Sequence, residues 1–340
     1  MRVAISLFSS LLVAATASAQ PTLDIYHVDV EGGAATLIVS PGRESVLVDA
    51  GWPGNGGRDV ARIRAAMQAA GISRIDHMIT THYHTDHVGG VPALKAAVPI
   101  GQFHDHGPMS PPYAQDYASN YEAYVAVVSD RHTLKPGDTL SLKGAAGGPP
   151  VVLSFVAGHG VVHTRAGAPA NAACATVAPK PEDPSDNARS LGFTLAYGAF
   201  DFFDAGDLTW NVEAKLVCPA NTLPKVDVYQ VTHHGLDQSN HPLVLQALAP
   251  TVAVMNNGAK KGGSPTTVQA LKALPSLQAL FQLHRNVATG PGDNTTPELI
   301  ANLDEAPDAG HMVSIHVRAD GRYEVVNHRT GDKRAYASNR

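Results

Sequence analysis

The sequence predicts an α/β fold in which mixed sheets are covered by helices. Two observations carry this expectation. The segment from Leu23 to Thr80 reads strand, strand, strand, helix, strand, an order that suits a mixed sheet with helices on its face. Past a flexible link over residues 144–150, strand-rich segments and helices recur, so two similar halves flank the neighbourhood of residue 147. No repeat of solenoid length accompanies this echo.

Composition narrows the class. The chain has 340 residues, 44% of them apolar and 16% charged. That balance fits a packed enzyme rather than a disordered chain. Residues 1–19 read as a signal peptide: Arg2 is the positive start, an apolar run follows, and Ala17-Ser18-Ala19 precedes Gln20. The run is short for a membrane span, and no Cys follows it to carry a lipid anchor. Export to the periplasm or beyond is expected, with no span after leader removal. The formal net charge is −5, becoming −6 once Arg2 leaves with the leader, so no basic field is present to coat duplex DNA. Cys174 and Cys218 lie outside any C-x-x-C motif; exported, they either pair or stand as separate thiols. Nothing in the sequence sets the oligomeric state.

Each element has a local reason. Leu23 to Val30 alternates as a strand, Ala34 to Val39 is the next, and Ser45 to Ala50 the third, separated by Gly-containing turns. Asp59 can cap a helix over Val60 to Ala70, where Val60, Ile63 and Met67 share a face and Gly71 ends the run. Ile75 to Thr80 is a buried strand. Val91 to Ala97 is a short helix, and Phe103 to Gly107 reads as a polar rim loop containing His104 and His106. Tyr113, Tyr117, Tyr121 and Tyr124 recur at near-helical spacing. They either pack a helix onto the body or line a substrate cleft as a lid, which makes Tyr113 a candidate substrate contact.

In the second half, Val151 to Ala157 is a strand ending at Gly158-His159-Gly160, and residues 171–186 form a loop. Leu191 to Tyr197 and Phe200 to Asp204 form a hairpin leading into Gly206-Asp207. Val226 to Thr232 is a strand delivering His233-His234-Gly235. Leu243 to Leu248 is helical, Thr251 to Met255 a strand, Thr266 to Leu274 a helix begun by Ser264-Pro265, and Leu277 to Leu283 a strand. A last hairpin turns at Asp320-Gly321.

The chemistry concentrates in Thr81-His82-Tyr83-His84-Thr85-Asp86-His87. Four strong metal ligands fall within six residues, directly after a buried strand. On extended backbone, His82 and His84 face the same side. Imidazoles with an added carboxylate suit a hydrolytic zinc site with an open position rather than a closed structural one. This H-x-H-x-D-H string resembles the signature of the metallo-β-lactamase superfamily, and the resemblance extends over most of the chain.

The resemblance implies a single hydrolase domain over residues 20–340, folded as a four-layer αββα sandwich with metals at one edge of the interface. It implies two zinc ions per chain. His82, His84 and a third His would hold the first, that third being His159 or His163, with His159 preferred. Asp86, His87 and a late His would hold the second. The late ligand is His233 or His234, with His234 preferred and His233 left to contact substrate or leaving group. Asp207 would bridge both ions, and Asp49 would steer a ligand His or the loop backbone unless it only caps its turn. Paired ions about 3.5–4 Å apart can generate a hydroxide and clamp both reacting oxygens. Asp86 and His233 are thus the candidate catalytic residues. A Glu where His84 stands marks the flavin-linked diiron relatives, so His84 points toward hydrolysis.

Asp186-Asn187-Ala188-Arg189-Ser190-Leu191, Gly206-Asp207-Leu208 and Val231-Thr232-His233-His234-Gly235 together resemble the branch containing the hydrolase domain of DNA-uptake competence proteins. That resemblance implies a phosphoester or phosphodiester substrate, with Lys260 or Lys261 helping to hold phosphoryl oxygens. The alternatives are a lactone, β-lactam or thioester hydrolase, or a metal-binding module without catalysis.

Overall fold

In the computed structural model, the described residues are 21–109, 114–305 and 309–338. Residues 1–19, expected as a signal peptide, and Tyr113 lie outside them.

Two nine-stranded sheets form the body. The first runs, in spatial order, Asp332–Ala337, Arg322–Asn327, Val313–Val317, Leu23–His27, Thr36–Val39, Ser45–Val48, Ile75–Ile79, Ile100–Asp105, Arg131–Thr133. Neighbours are antiparallel as far as Ser45–Val48 and parallel beyond it. The second runs Ile300–Asn302, Ala279–His284, Val252–Met255, Val228–Gln230, Phe200–Asp204, Gly192–Tyr197, Val151–Gly158, Thr139–Leu142, with Val161–Val162 also paired to Val151–Gly158. From Phe200–Asp204 to Ile300–Asn302 its neighbours are parallel.

Alternation within strands explains the layering. In Ser45–Val48, Val46 and Val48 join Ile25, Phe155, Phe193 and Phe202 in the core between the sheets, while Leu47 faces Ile63 and Met67 of helix Arg58–Ala69. The second sheet's outer face packs on helices Trp210–Val217, Pro242–Leu248 and Pro265–Lys272 through Leu216, Leu245 and Leu271. The result is helix, sheet, sheet, helix, as the resemblance implied. Three apolar layers hold it together, each side chain adding roughly 1.5–3 kcal/mol on full burial. No helix among the described residues is long and apolar enough to cross a membrane.

Two expectations need correction. Residues 144–150 join two antiparallel neighbours of the second sheet, so the crossing between halves lies earlier, after Arg131–Thr133. The C-terminal strands then return to the first sheet, because Val313–Val317 pairs with Leu23–His27. The segment expected as a rim loop is strand through Asp105, and both His104 and His106 are buried. The tyrosine spacing does form a helix, Ala114–Val125. Tyr124 is fully buried against Phe103 and Tyr83, and Tyr121 meets Tyr83, so these two pack the helix down.

Cys174 and Cys218 form a disulfide, with Cα atoms 5.7 Å apart and 44 residues of separation. Replacing both by Ser is expected to lower unfolding free energy by about 2–4 kcal/mol, read as an earlier urea midpoint at unchanged slope.

Candidate metal centre

The metal loop is a continuation of strand Ile75–Ile79, held in parallel register between Ser45–Val48 and Ile100–Asp105. Thr80 to His84 stay extended, so the His82 and His84 rings meet 4.5 Å apart on one side. The helical turn Thr85–Val88 then brings up Asp86 and His87. From the other half, Phe200–Asp204 ends at Ala205-Gly206-Asp207, and Val228–Gln230 runs into the turn Thr232–Gly235. Gly206 has φ 53°, and a Cβ there would stand 2.8 Å from Thr81 Cβ, so the two loops touch where only glycine fits. His233 and His234 are both left-handed, at φ 55° and 52°, a conformation costing about 1–2 kcal/mol per residue. That twist turns adjacent imidazoles toward one point.

The point is Asp207. Its Oδ2 lies 3.2 Å from His87 Nε2, 3.3 Å from His234 Nε2, 3.4 Å from His233 Nε2 and 3.9 Å from His82 Nε2. Asp86 Oδ2 lies 3.3 Å from His87 Nε2 and 3.1 Å from His234 Nε2. The ligand atoms thus sort into two sets that share Asp207: Asp86, His87, Asp207 and His234, and beside it His82, His84 and Asp207. Tetrahedral bonds of about 2.0–2.1 Å place ligand atoms about 3.3 Å apart. The first set has that spacing, with His87 and His234 Nε2 atoms 3.1 Å apart. His82 Nε2 is buried with no hydrogen-bond partner among the described residues. Leaving such an atom unsatisfied costs about 1–3 kcal/mol unless a ligand takes it. The residues present therefore fit a pair of metal ions.

Electrostatics agree. Burial alone would raise the carboxyls of Asp86 and Asp207, yet His87, His234 and Lys261 hold Asp86, and His234, His87 and His233 hold Asp207, well below the usual range. Burial would neutralise His87, but Asp207, Asp86 and Asp49 outweigh it and hold its pKa well above the ordinary value. His82 is pushed the other way, by burial and then by His87 and His84, and so stays neutral as a ligand must. The cluster is built for positive charge at its centre.

Supporting contacts fix the rings. Asp49 Oδ2 meets His87 Nδ1 at 2.7 Å, and its carboxylate also accepts the Thr81 N–H and hydroxyl, each at 2.8 Å. It therefore steers both a ligand ring and the loop backbone. His234 Nδ1 lies 3.2 Å from the Asn256 carbonyl, and His233 Nδ1 3.0 Å from Ser239 Oγ. Lys261 bonds Asp86 and stands 5.1 Å over the Trp52 ring.

Some expected members are elsewhere. His159 belongs to neither ligand set; it is exposed, at φ 53°, with Arg189 and His106 beside it. A left-handed turn at the end of Val151–Gly158 carries its ring outward. His163 is exposed as well. The set of His82, His84 and Asp207 thus has two imidazoles, not three. Lys260 points away, in a surface ion pair with Glu305 at 2.5 Å. Asp186 and Asn187 were quoted only as part of a motif, yet both are buried beside the centre. Asp186 accepts the Tyr83 N–H at 2.8 Å, and Asn187 Nδ2 is 3.4 Å from His233 Nε2. Their order before a Ser and a strand was the only available signal.

Two outcomes follow from these contacts. Asp49→Ala is expected to weaken metal binding about 10–100-fold, measured by competition with a chromophoric chelator. Glu213, fully buried on helix Trp210–Val217, accepts the His241 N–H, and burial raises its pKa from 4.5 to about 8. Between those values the folded chain keeps a proton that the unfolded chain gives up, so its contribution is complete below pH 4.5 and is lost as pH rises through about 8. Glu213→Gln should flatten that decline, gaining on the wild type between pH 5 and 8 in urea titrations.

The family model described as Metallo-beta-lactamase superfamily matches residues 28–168, which include the metal loop. The chain is 27% identical over 241 residues to Recombination protein 2 of Haemophilus influenzae, covering 70% of this chain. It spans a quarter of that relative's length. Among solved structures, CmlA, a diiron beta-hydroxylase from Streptomyces venezuelae, is 17% identical, with a TM-score of 0.39 over 69% of this chain and 45% of that one. A metal-dependent hydrolase of the beta-lactamase superfamily is 13% identical, with a TM-score of 0.43 over 76% and 95%. Over residues 28–168, the stretch that holds Asp49 and the metal loop, the chain is thus similar to the metallo-β-lactamase superfamily.

Proposed function

We propose that this protein is an exported dinuclear zinc hydrolase acting on a phosphoester or phosphodiester. The observation that carries the reading is the single Asp207 oxygen lying within 3.9 Å of four imidazole nitrogens drawn from both halves of the chain. Histidine nitrogens with carboxylate oxygens are a zinc donor set, and the two sets sharing one carboxylate suit two ions. His82, His84 and Asp207 would hold one, and Asp86, His87, His234 and Asp207 the other. When bound, such a pair supplies Lewis acidity and acidifies a water near neutral pH.

The chain's own residues do the rest. Asp49 keeps the His87 ring turned to the centre. Lys261, held over Trp52, brings a cation to the rim beside Asp86, where a phosphoryl oxygen gains charge. His233, steadied at Nδ1 by Ser239 and kept neutral by burial, which lowers its pKa to about 4, presents Nε2 toward Asp207 and can hydrogen-bond the departing oxygen. In the balance, water oxygen bonds to phosphorus, the ester P–O bond breaks, and the proton shed by the water ends on the leaving alkoxide. The matched relative's name, Recombination protein 2, supports a phosphodiester over a carbonyl substrate. The leader and the disulfide support export.

Metal analysis of protein purified without chelator should find about two zinc ions per chain. Asp207→Ala should leave the circular dichroism spectrum intact and lower kcat at least about 100-fold. Bis(p-nitrophenyl) phosphate, nitrocefin and an acyl lactone assayed together should give turnover of the first. Nitrocefin cleavage without phosphodiester cleavage would transfer the chemistry to a carbonyl.

A further inference from the structure

A cavity of about 600 Å³ opens beside the metal loop, and the metal chemistry makes no use of it. Its walls include Pro108, Leu134, Pro136, Val162, His106 and His159. Val161, also in the lining, is 56% exposed, more than any other large apolar side chain among the described residues. Thr133, Lys135, His163 and Thr164 complete the lining, and apolar walls interrupted by polar groups suit a small-molecule site.

Two further observations tie this cavity to the centre. His106 Nε2 is 3.1 Å from Asp186 Oδ2, and the same oxygen accepts the backbone N–H of Tyr83, which stands between His82 and His84. One wall of the cavity is therefore two hydrogen bonds from the metal loop. The segment after Asp186 is shared by both sites: Arg189 O accepts the His159 N–H, and the Leu191 N–H donates to Thr81 O, each at 2.9 Å. The second observation is ring packing: His106 stands 5.9 Å from the His159 ring and 4.6 Å from the Tyr83 ring, so the cavity lining continues into the metal loop.

We propose that this cavity holds the non-reacting apolar group of the substrate, aromatic or branched aliphatic, while the ester is positioned at the metal centre. The inference rests on the hydrolase reading above and narrows its substrate class to esters with a bulky apolar arm. It also gives His159 a place: the residue expected as a ligand lines the specificity site instead.

Phenyl p-nitrophenyl phosphate and methyl p-nitrophenyl phosphate, compared on zinc-loaded full chain, test the proposal. The phenyl ester should be favoured at least about tenfold in kcat/KM, chiefly through KM. Val162→Trp, which fills the cavity, should cut that preference at least about fivefold. Val161→Glu, on the exposed lip where folding is undisturbed, should reduce it in the same direction. Binding of 1-anilinonaphthalene-8-sulfonate to the same proteins reads the cavity without turnover and should weaken in both variants. Phosphodiester cleavage with no size preference, and dye binding unmoved by either variant, overturns the subsite and leaves the hydrolase reading standing. Absence of phosphodiester cleavage with dye binding still lost in Val162→Trp does the reverse.

Discussion

Everything at the centre depends on one carboxylate oxygen. Asp207 Oδ2 draws in imidazoles from a loop near residue 85 and a turn near residue 234, and neither set of ligand atoms is complete without it. Such an oxygen is costly to bury alone. Its cost is offset only when positive charge stands opposite, which is why four histidines surround it. The same requirement explains strain elsewhere. Two successive left-handed histidines are unfavourable in isolation, and their neighbour Gly235 is left-handed too, at φ 79°, where any side chain would be strained. That turn persists because the packed second sheet and the Asp207 contact both demand it.

The layered body exists to bring these loops to one edge. Val46 and Val48 facing the inner core, with Leu47 facing the helix, show how a four-residue strand buried on both sides serves two layers at once. Contacts across the sheets then set the alignment. Thr36 donates its hydroxyl to Gln230 at 2.7 Å, joining the strand two before the metal loop's strand to the strand that leads into His233. The loops are placed by strands that hydrogen-bond to one another, rather than by the loops themselves.

Much of this was legible beforehand, and what was missed has identifiable causes. His82, His84, Asp86 and His87 are close in sequence, so their spacing on extended and then helical backbone could be read directly. Asp207 and His234 were found through resemblance, and Asp49 likewise. His159 misled because a His after a strand end looks the same whether its turn is right- or left-handed, and only the backbone hand decides where the ring goes. Lys260 and Lys261 are adjacent in a Gly-rich loop, and nothing in composition says which one turns inward. The boundary between halves was misplaced because a Gly/Pro-rich stretch marks a turn equally well inside a hairpin or between halves. Asp186, buried between Tyr83 and His106, acts through contacts 80 and more residues away, which no local pattern reports.

The pairing of Leu23–His27 with Val313–Val317 has a further consequence, for timing. The first strand among the described residues sits mid-sheet, flanked on one side by a partner made almost 300 residues later. Until the chain is nearly finished, that strand's hydrogen-bonding edge has no mate, and closing so long a loop is slow. A polypeptide arranged this way stays incompletely folded while it is being made.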